Sequence, residues 1–274
     1  MAMVSTVFEG MFQLPQNDGF ESISDKRDLD KTVVNPHSSF SRIPVSEDSH
    51  TLDEFLSLIY RKKSVTIYEY TDEESQSIRN ILDVAAKYDV RFIVEDVFQT
   101  LLELAKASSS ITLSLQLYAL ACHHSHKDYA RKAGFESLRG NIVASVGSSH
   151  RLPELDLVNA NIFFRLLELH LNASHDISEL IEGCRPTGCT YCTGARSFNI
   201  HNNSNWYDKW KSSAKAVVTT SPLGDIFSSS LVIPTLHSLP TCSQCPGGPL
   251  STVSRFLNEA KKQIDDAVEK VGNH

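Results

Sequence analysis

The feature that most constrains the fold is a helical spacing of apolar residues that recurs, with short interruptions, from residue 52 to residue 172. Apolar side chains three and four positions apart lie on one face of a helix and can be buried together. Only a few polar residues separate each such stretch from the next, which favours a stack of short helices over a sheet. The first three faces consist of Leu52, Phe55, Leu56 and Ile59; of Ile78, Ile81, Leu82, Ala85 and Ala86; and of Ile93, Val94, Val97, Leu101, Leu102 and Leu104.

Two of these helices are preceded by the pattern Thr-x-x-Glu, at Thr51–Glu54 and Thr71–Glu74. In a capping box, the threonine hydroxyl and the glutamate carboxylate accept hydrogen bonds from N–H groups that the first turn leaves without partners. Each pattern therefore predicts the start of a helix. Tyr88–Val90 predicts a bend between two helices, and Ile43–Val45 predicts a short edge strand.

The chain changes in character after this helical region. Pro153–Leu169 is predicted to be one helix, whereas residues 184–204 hold three cysteines. Helical spacing returns at Trp206–Val217. Ser251 or Thr252 is predicted to cap a final helix, which either packs on the cysteine-rich segment or associates with another copy of the chain.

These patterns predict a mainly α-helical chain in three parts. Residues 1–105 form the first module, with a polar loop at 17–41 that has no apolar face to bury and is expected to be disordered. Residues 106–180 extend the helical stack. Residues 181–274 form a cysteine-rich module that ends in a helix.

Composition and charge exclude several classes of protein. With 274 residues, of which 41% are hydrophobic and 22% charged, the chain has the composition of a soluble globular protein. Its net charge is −7 and its densest basic run is Arg61–Lys63, so neither nucleic acid nor an anionic membrane is an expected partner. The sequence shows no secretory signal and no apolar run long enough to cross a bilayer. We therefore expect an intracellular protein of the cytoplasm or nucleus.

Three segments, by their order and spacing, resemble the BTB/POZ domain. Val7–Pro15 reads Val-Phe-Glu-Gly-Met-Phe-Gln-Leu-Pro, Thr51–Tyr60 reads Thr-Leu-Asp-Glu-Phe-Leu-Ser-Leu-Ile-Tyr, and Ala85–Val90 reads Ala-Ala-Lys-Tyr-Asp-Val. The wording is similar to that of fungal, basidiomycete-type BTB/POZ proteins. Leu117–Ala121, together with Tyr129–Ala133, resembles the helical region that follows their BTB domains.

The resemblance implies a truncated BTB/POZ-like α+β module followed by a helical stack. It also implies that the strand hairpin and first helix of the family's domain, which supply much of its dimer interface, have no counterpart in this chain. The implied function is protein–protein interaction, as an adaptor for a cullin-type ubiquitin ligase scaffold or a transcription-related complex, or by self-association. Recognition is expected at the helical faces 52–60 and 78–105, with partners bound within residues 1–172.

Two Cys-x-x-Cys pairs predict a structural zinc site. Cys189 and Cys192 form the first pair, and Cys242 and Cys245 form the second. One pair presents two thiolates to a tetrahedral ion, so two pairs complete a four-cysteine site. The gap between the pairs is wider than in compact zinc ribbons, which makes the Trp206–Val218 helix an insertion within the site.

Other interpretations of these residues stay open. Cys184 or His201 could replace one of the four ligands, and the cysteines could instead be reduced thiols without a metal. Three protein ligands and a water would suit a zinc-dependent enzyme, and a zinc-dependent nucleic-acid binder is a further alternative that the negative charge disfavours.

The remaining motifs do not point to catalysis. The sequence lacks glycine-rich phosphate loops and the G-x-S-x-G and H-E-x-x-H patterns, so we predict a protein that is not an enzyme. His123–His126 is interpreted as a polar turn between two helices, because adjacent histidines point to different faces of a helix.

Overall fold

The computed structural model of the chain describes residues 7, 45–60, 65–67, 70–147, 152–184, 205–236 and 248–272. These residues are mainly α-helical and include no strand, which confirms the predicted mainly-α character. Val45, the described residue of the predicted edge strand, lies in irregular backbone. The helices are α1 (Ser49–Ile59), α2 (Asp72–Lys87), α3 (Arg91–Ser108), α4 (Ile111–His123), α5 (Lys127–Ser137), α6 (Ile142–Val146), a 3₁₀ helix (Pro153–Leu157), α7 (Ala160–Gly183), α8 (Asn205–Thr220), α9 (Ser229–Leu236) and α10 (Gly248–Gly272).

The chain divides into two compact units, Met1–Val97 and Phe98–His274. In the first unit α1 packs against α2. Phe55 and Leu82 are fully buried there, and the ring of Phe55 lies 5.9 Å from that of Tyr88. The Tyr88 hydroxyl donates a hydrogen bond to Glu47 Oε2 at 3.0 Å, which ties the end of α2 to the residues just before α1.

Helix α1 begins earlier than the sequence predicts. Its N-cap is Asp48, whose carboxylate accepts hydrogen bonds from the backbone N–H groups of His50 and Thr51. The Thr51 side chain lies inside the helix and donates to Asp48 Oδ2 at 2.7 Å. The predicted capping box at Thr51 is therefore wrong, because the helix is already capped by an aspartate three residues earlier. The Glu54 carboxylate is left to contact another partner.

The second capping box is confirmed at the start of α2. The Glu74 backbone N–H donates to Thr71 Oγ1, and the Thr71 backbone N–H donates to Glu74 Oε2, both at 3.3 Å. The predicted bend after Lys87 is also confirmed, since Asp89 has a φ of 51°, in the left-handed region that aspartate tolerates better than most residues.

In the second unit, α4 packs against α5 and the 3₁₀ helix. The helix predicted to start at Pro153 is wrong, because Pro153–Leu157 is a separate 3₁₀ turn. The long helix α7 is capped instead by Asn159, whose Oδ1 accepts from the Ile162 N–H at 3.0 Å. Glu154 is fully buried and accepts a hydrogen bond from Gln116 Nε2 at 3.0 Å.

The predicted histidine turn is confirmed between α4 and α5. Helix α4 ends at His123, and Ser125 takes a φ of 62° before α5 begins. The rings of His124 and His126 lie 6.4 and 5.1 Å from the ring of Phe98, so both histidines cover an apolar side chain.

The C-terminal helices bury a set of rings that we call the aromatic cluster. Trp210 is fully buried, and its indole Nε1 donates to the Ile226 carbonyl at 3.2 Å. The final helix, α10, begins at Gly248, so the predicted cap at Ser251 or Thr252 is wrong, since Pro249 fits the first turn of a helix. The aromatic cluster consists of Trp206, Tyr207, Trp210, Phe227 and Phe256.

Candidate functional site

A cleft of about 220 Å³ lies within the unit Met1–Val97, between α1, residues 65–67 and α2. Glu54 and Leu58 are four positions apart on α1, so both face it from one side of that helix. Glu74, Ser77 and Ile78 face it from α2 with the same helical spacing. The apolar walls are formed by Leu58, Val65, Ile67, Ile78, Ile81 and Val97.

The apolar walls of the cleft are only partly covered. Ile78 and Val97 are buried, at 6% and 1% exposure, and belong to the core of this unit. Leu58, Val65 and Ile81 keep part of their surface accessible to solvent. Covering this accessible apolar surface would therefore be favourable for a ligand that fits.

Two carboxylates line the same cleft. Ser77 Oγ donates to Glu54 Oε2 at 2.8 Å, which fixes the Glu54 side chain across the gap between α1 and α2. Glu74 lies one turn before Ser77 on α2, and its Oε2 accepts the capping-box hydrogen bond from the Thr71 N–H. Among the residues that the structure describes, no lysine or arginine pairs with either carboxylate, and the ring nitrogen Nδ1 of His50 lies 3.9 Å from Glu54 Oε2.

The sequence located part of this site. The predicted recognition faces 52–60 and 78–105 contain four of its apolar residues, Leu58, Ile78, Ile81 and Val97. Glu54 lies within the predicted face 52–60, but, like Glu74 outside both faces, it was interpreted only as part of a capping box. An acid followed four positions later by a large aliphatic residue, as in Glu54/Leu58 and Glu74/Ile78, is the signal that could have found them.

The predicted zinc ligands fall mostly outside the described residues. Cys189, Cys192, Cys242 and Cys245 lie there, as does His201, so the four-cysteine site stays a prediction. Cys184 is described and is 4% exposed, next to the aromatic cluster, with its Sγ 3.6 Å from Gln263 Oε1. Burial raises the pKa of the Cys184 thiol, which favours the neutral thiol over the thiolate that binds zinc.

A serine and a histidine also meet in the second unit, but without catalytic geometry. Ser137 Oγ donates to the Gly134 carbonyl at 2.6 Å and lies 2.9 Å from His170 Nε2. Since the hydroxyl hydrogen is used on Gly134, Nε2–H must donate to Ser137 and cannot act as its base. Burial lowers the pKa of His170 to about 4, so the pair is a neutral structural contact.

Comparison with known proteins identifies no relative of this chain. No protein-family model matches this chain, and no curated protein or solved structure matches it with significance. Among the described helices, none combines the length and the apolar content needed to span a bilayer.

Proposed function

We propose that this chain is a protein-interaction adaptor, similar to BTB/POZ proteins, that binds a partner protein through the cleft. One observation carries the proposal: partly accessible apolar walls lie beside two carboxylates on adjacent helices. Apolar surface supplies the free energy of association, and a few fixed polar groups orient the ligand.

The size of the cleft supports a protein partner. Pockets for drug-sized ligands usually measure about 300–1,000 Å³. At about 220 Å³ the cleft suits one side chain of a larger partner, with further contact over the surfaces of α1 and α2 around it. A cullin-type scaffold, a transcription-related complex and a second copy of the chain are the partner classes that the BTB/POZ resemblance implies.

Site-specific photo-crosslinking in the full chain tests this function. A photoreactive residue at Leu58, in the cleft, is expected to capture the same protein in repeated experiments. Val143 is the control position, because it is 74% exposed and lies in the other unit. Equal capture at both positions, or none at Leu58, would contradict the proposed function.

We also propose that Cys189, Cys192, Cys242 and Cys245 bind one structural zinc ion. A helix rises about 1.5 Å per residue, so α10 spans about 22 Å between Gly248 and Gln263. Gln263 contacts Cys184, and a chain that leaves Cys184 extends at most about 28 Å by residue 192. An extended chain could therefore bring Cys192 of the first pair to the start of α10, and Cys245 of the second pair lies three residues before Gly248 in the sequence.

The zinc content of the full chain, purified without added metal or a histidine tag, tests this proposal. We expect about one zinc per chain, because a four-cysteine site holds a single ion. Cys242→Ser should release it, whereas Cys122→Ser, outside both pairs, should not. Protein that contains no zinc and six free thiols would contradict the proposal.

A further inference from the structure

We infer that the cleft accepts a lysine or arginine side chain that the partner presents between apolar residues; this inference rests on the proposed function. Long cationic side chains combine an aliphatic stem with a charged head. The cleft has the same two parts, since its walls are aliphatic and its polar groups include Glu54 and Glu74.

The carboxylates have capacity for a cation. Each ionised carboxylate offers about four acceptor positions on two oxygens. The Ser77 hydroxyl donates a hydrogen bond to Oε2 of Glu54, and the Thr71 N–H donates one to Oε2 of Glu74. Among the described residues, hydrogen bonds to the second oxygen of either group are absent, so both can accept from an ammonium or guanidinium head.

Ser77 lies next to one of the carboxylates and one helical turn from the residue that carries the other. Its hydroxyl is 2.8 Å from Glu54, and it follows Glu74 by three residues on one face of α2. A cationic head beside Ser77 would therefore be next to Glu54 and within about one helical turn of Glu74. An acidic side chain would be repelled there, and a purely apolar one would remove water from the carboxylates without replacing it.

The aliphatic walls select for a long stem rather than a bare cation. Ile67, Ile78 and Ile81 come from two different elements, so a stem that enters between them is contacted on more than one side. A small inorganic cation would not cover these apolar walls, which would stay hydrated. The charged part and the apolar part of the cleft thus both favour a lysine or arginine side chain.

Methyl NMR of the full chain, labelled at isoleucine methyl groups, tests this inference. The probes are the blocked peptides Ala-Leu-Lys-Leu-Ala and Ala-Leu-Nle-Leu-Ala, where Nle is norleucine, an uncharged analogue of the lysine stem. The lysine peptide should shift Ile67, Ile78 and Ile81 in a saturable manner and leave Ile226 and Ile264 of the other unit unchanged. It should bind about tenfold more tightly than the norleucine peptide, because hydrogen bonds to an ionised group are the stronger ones.

Charge-neutral variants separate the carboxylates from general folding effects. Glu54→Gln combined with Glu74→Gln should weaken the lysine peptide to the level of the norleucine peptide. Glutamine retains the capping box at this position, so α2 should still form. Glu73→Gln is the matched control, because Glu73 lies in the same turn, is exposed and does not line the cleft.

The outcomes distinguish this inference from the proposed function. Three outcomes would overturn the inference that the cleft accepts a cationic side chain. They are equal affinity for the two peptides, equal weakening of the lysine peptide by Glu73→Gln, and the absence of a saturable shift with millimolar lysine peptide. Crosslinking of a partner at Leu58 would still support the adaptor function in each of those cases. Absence of that crosslinking would contradict the function itself.

Discussion

The walls of the cleft are partly accessible to solvent, whereas Trp210 and Phe256 at the centre of the aromatic cluster are buried. Trp210 and Phe256 are no more than 2% exposed, and their rings meet edge to face at 5.2 Å. In the cleft, aliphatic side chains of similar helical spacing remain partly accessible beside two carboxylates. A filled face contributes mainly to stability, whereas a face that keeps apolar surface and charge accessible contributes mainly to binding.

The largest expected effect on stability lies in the aromatic cluster. Trp210→Ala removes a fully buried indole that stacks on Tyr207 and Phe227 at 6.3 and 6.0 Å. We expect a loss of roughly 3–5 kcal/mol in the free energy of unfolding, from lost burial and the cavity left behind. Denaturant unfolding of the full chain measures it.

Phe164→Ala is the control for that substitution. Phe164 belongs to the same unit but is 64% exposed, so its truncation should change the free energy of unfolding by about 0.5 kcal/mol or less. Similar losses for both variants would mean that the cluster does not stabilise the chain in the way its packing indicates.

The buried His170 is expected to make a contribution of intermediate size to the free energy of unfolding, and this contribution depends on pH. Burial lowers its pKa in the folded state to about 4, below the value of about 6.5 for an exposed histidine. The unfolded chain therefore binds the proton more readily. Stability from this group is fully present above about pH 6.5 and is lost as the pH falls toward 4, by about 3 kcal/mol in all.

His170→Gln should reduce the loss of stability between pH 6.5 and pH 4 relative to the unmodified chain. His175→Gln, which replaces an exposed histidine on the same helix, is the control for the substitution itself. If both variants follow the unmodified chain at every pH, the buried histidine does not supply this dependence.

The smallest effect on stability is expected from a surface contact. There, Lys211 and Lys215 both donate hydrogen bonds to Glu182. These bonds lower the pKa of the Glu182 carboxyl to about 2. Its contribution is present above the ordinary carboxyl range and is lost as the pH falls toward 2. Because the group is exposed, Glu182→Gln should lower the melting temperature only slightly, and not at all in high salt. A large effect at high salt would contradict a screened surface contact.

Local signals predicted the helices well, and the errors have local causes. Thr71 is the N-cap of α2, and its capping box forms as predicted. Thr51 competes with Asp48, and which one caps depends on the backbone direction before α1, which the pattern Thr-x-x-Glu does not contain. The single helix predicted from Pro153 failed for the same reason, because Asn159 offers a second start.

The cleft was harder to predict than the helices because it depends on contacts between elements. Ser77 meets Glu54 across a sequence separation of 23 residues, and no periodic pattern encodes that contact. Residues 65–67 also line the cleft, but they lie in irregular backbone and belong to no predicted element. The apolar positions could be predicted from spacing, whereas their arrangement around an open volume could not.

Hydrogen exchange of the full chain, with and without saturating Ala-Leu-Lys-Leu-Ala peptide, tests most directly whether the cleft binds and the aromatic cluster only stabilises. We predict slower exchange of backbone amides at 54–58 and 74–81 with the peptide bound, and unchanged exchange at 206–218 and 253–264. Protection confined to the aromatic cluster, or equal protection in both regions, would contradict this division of roles.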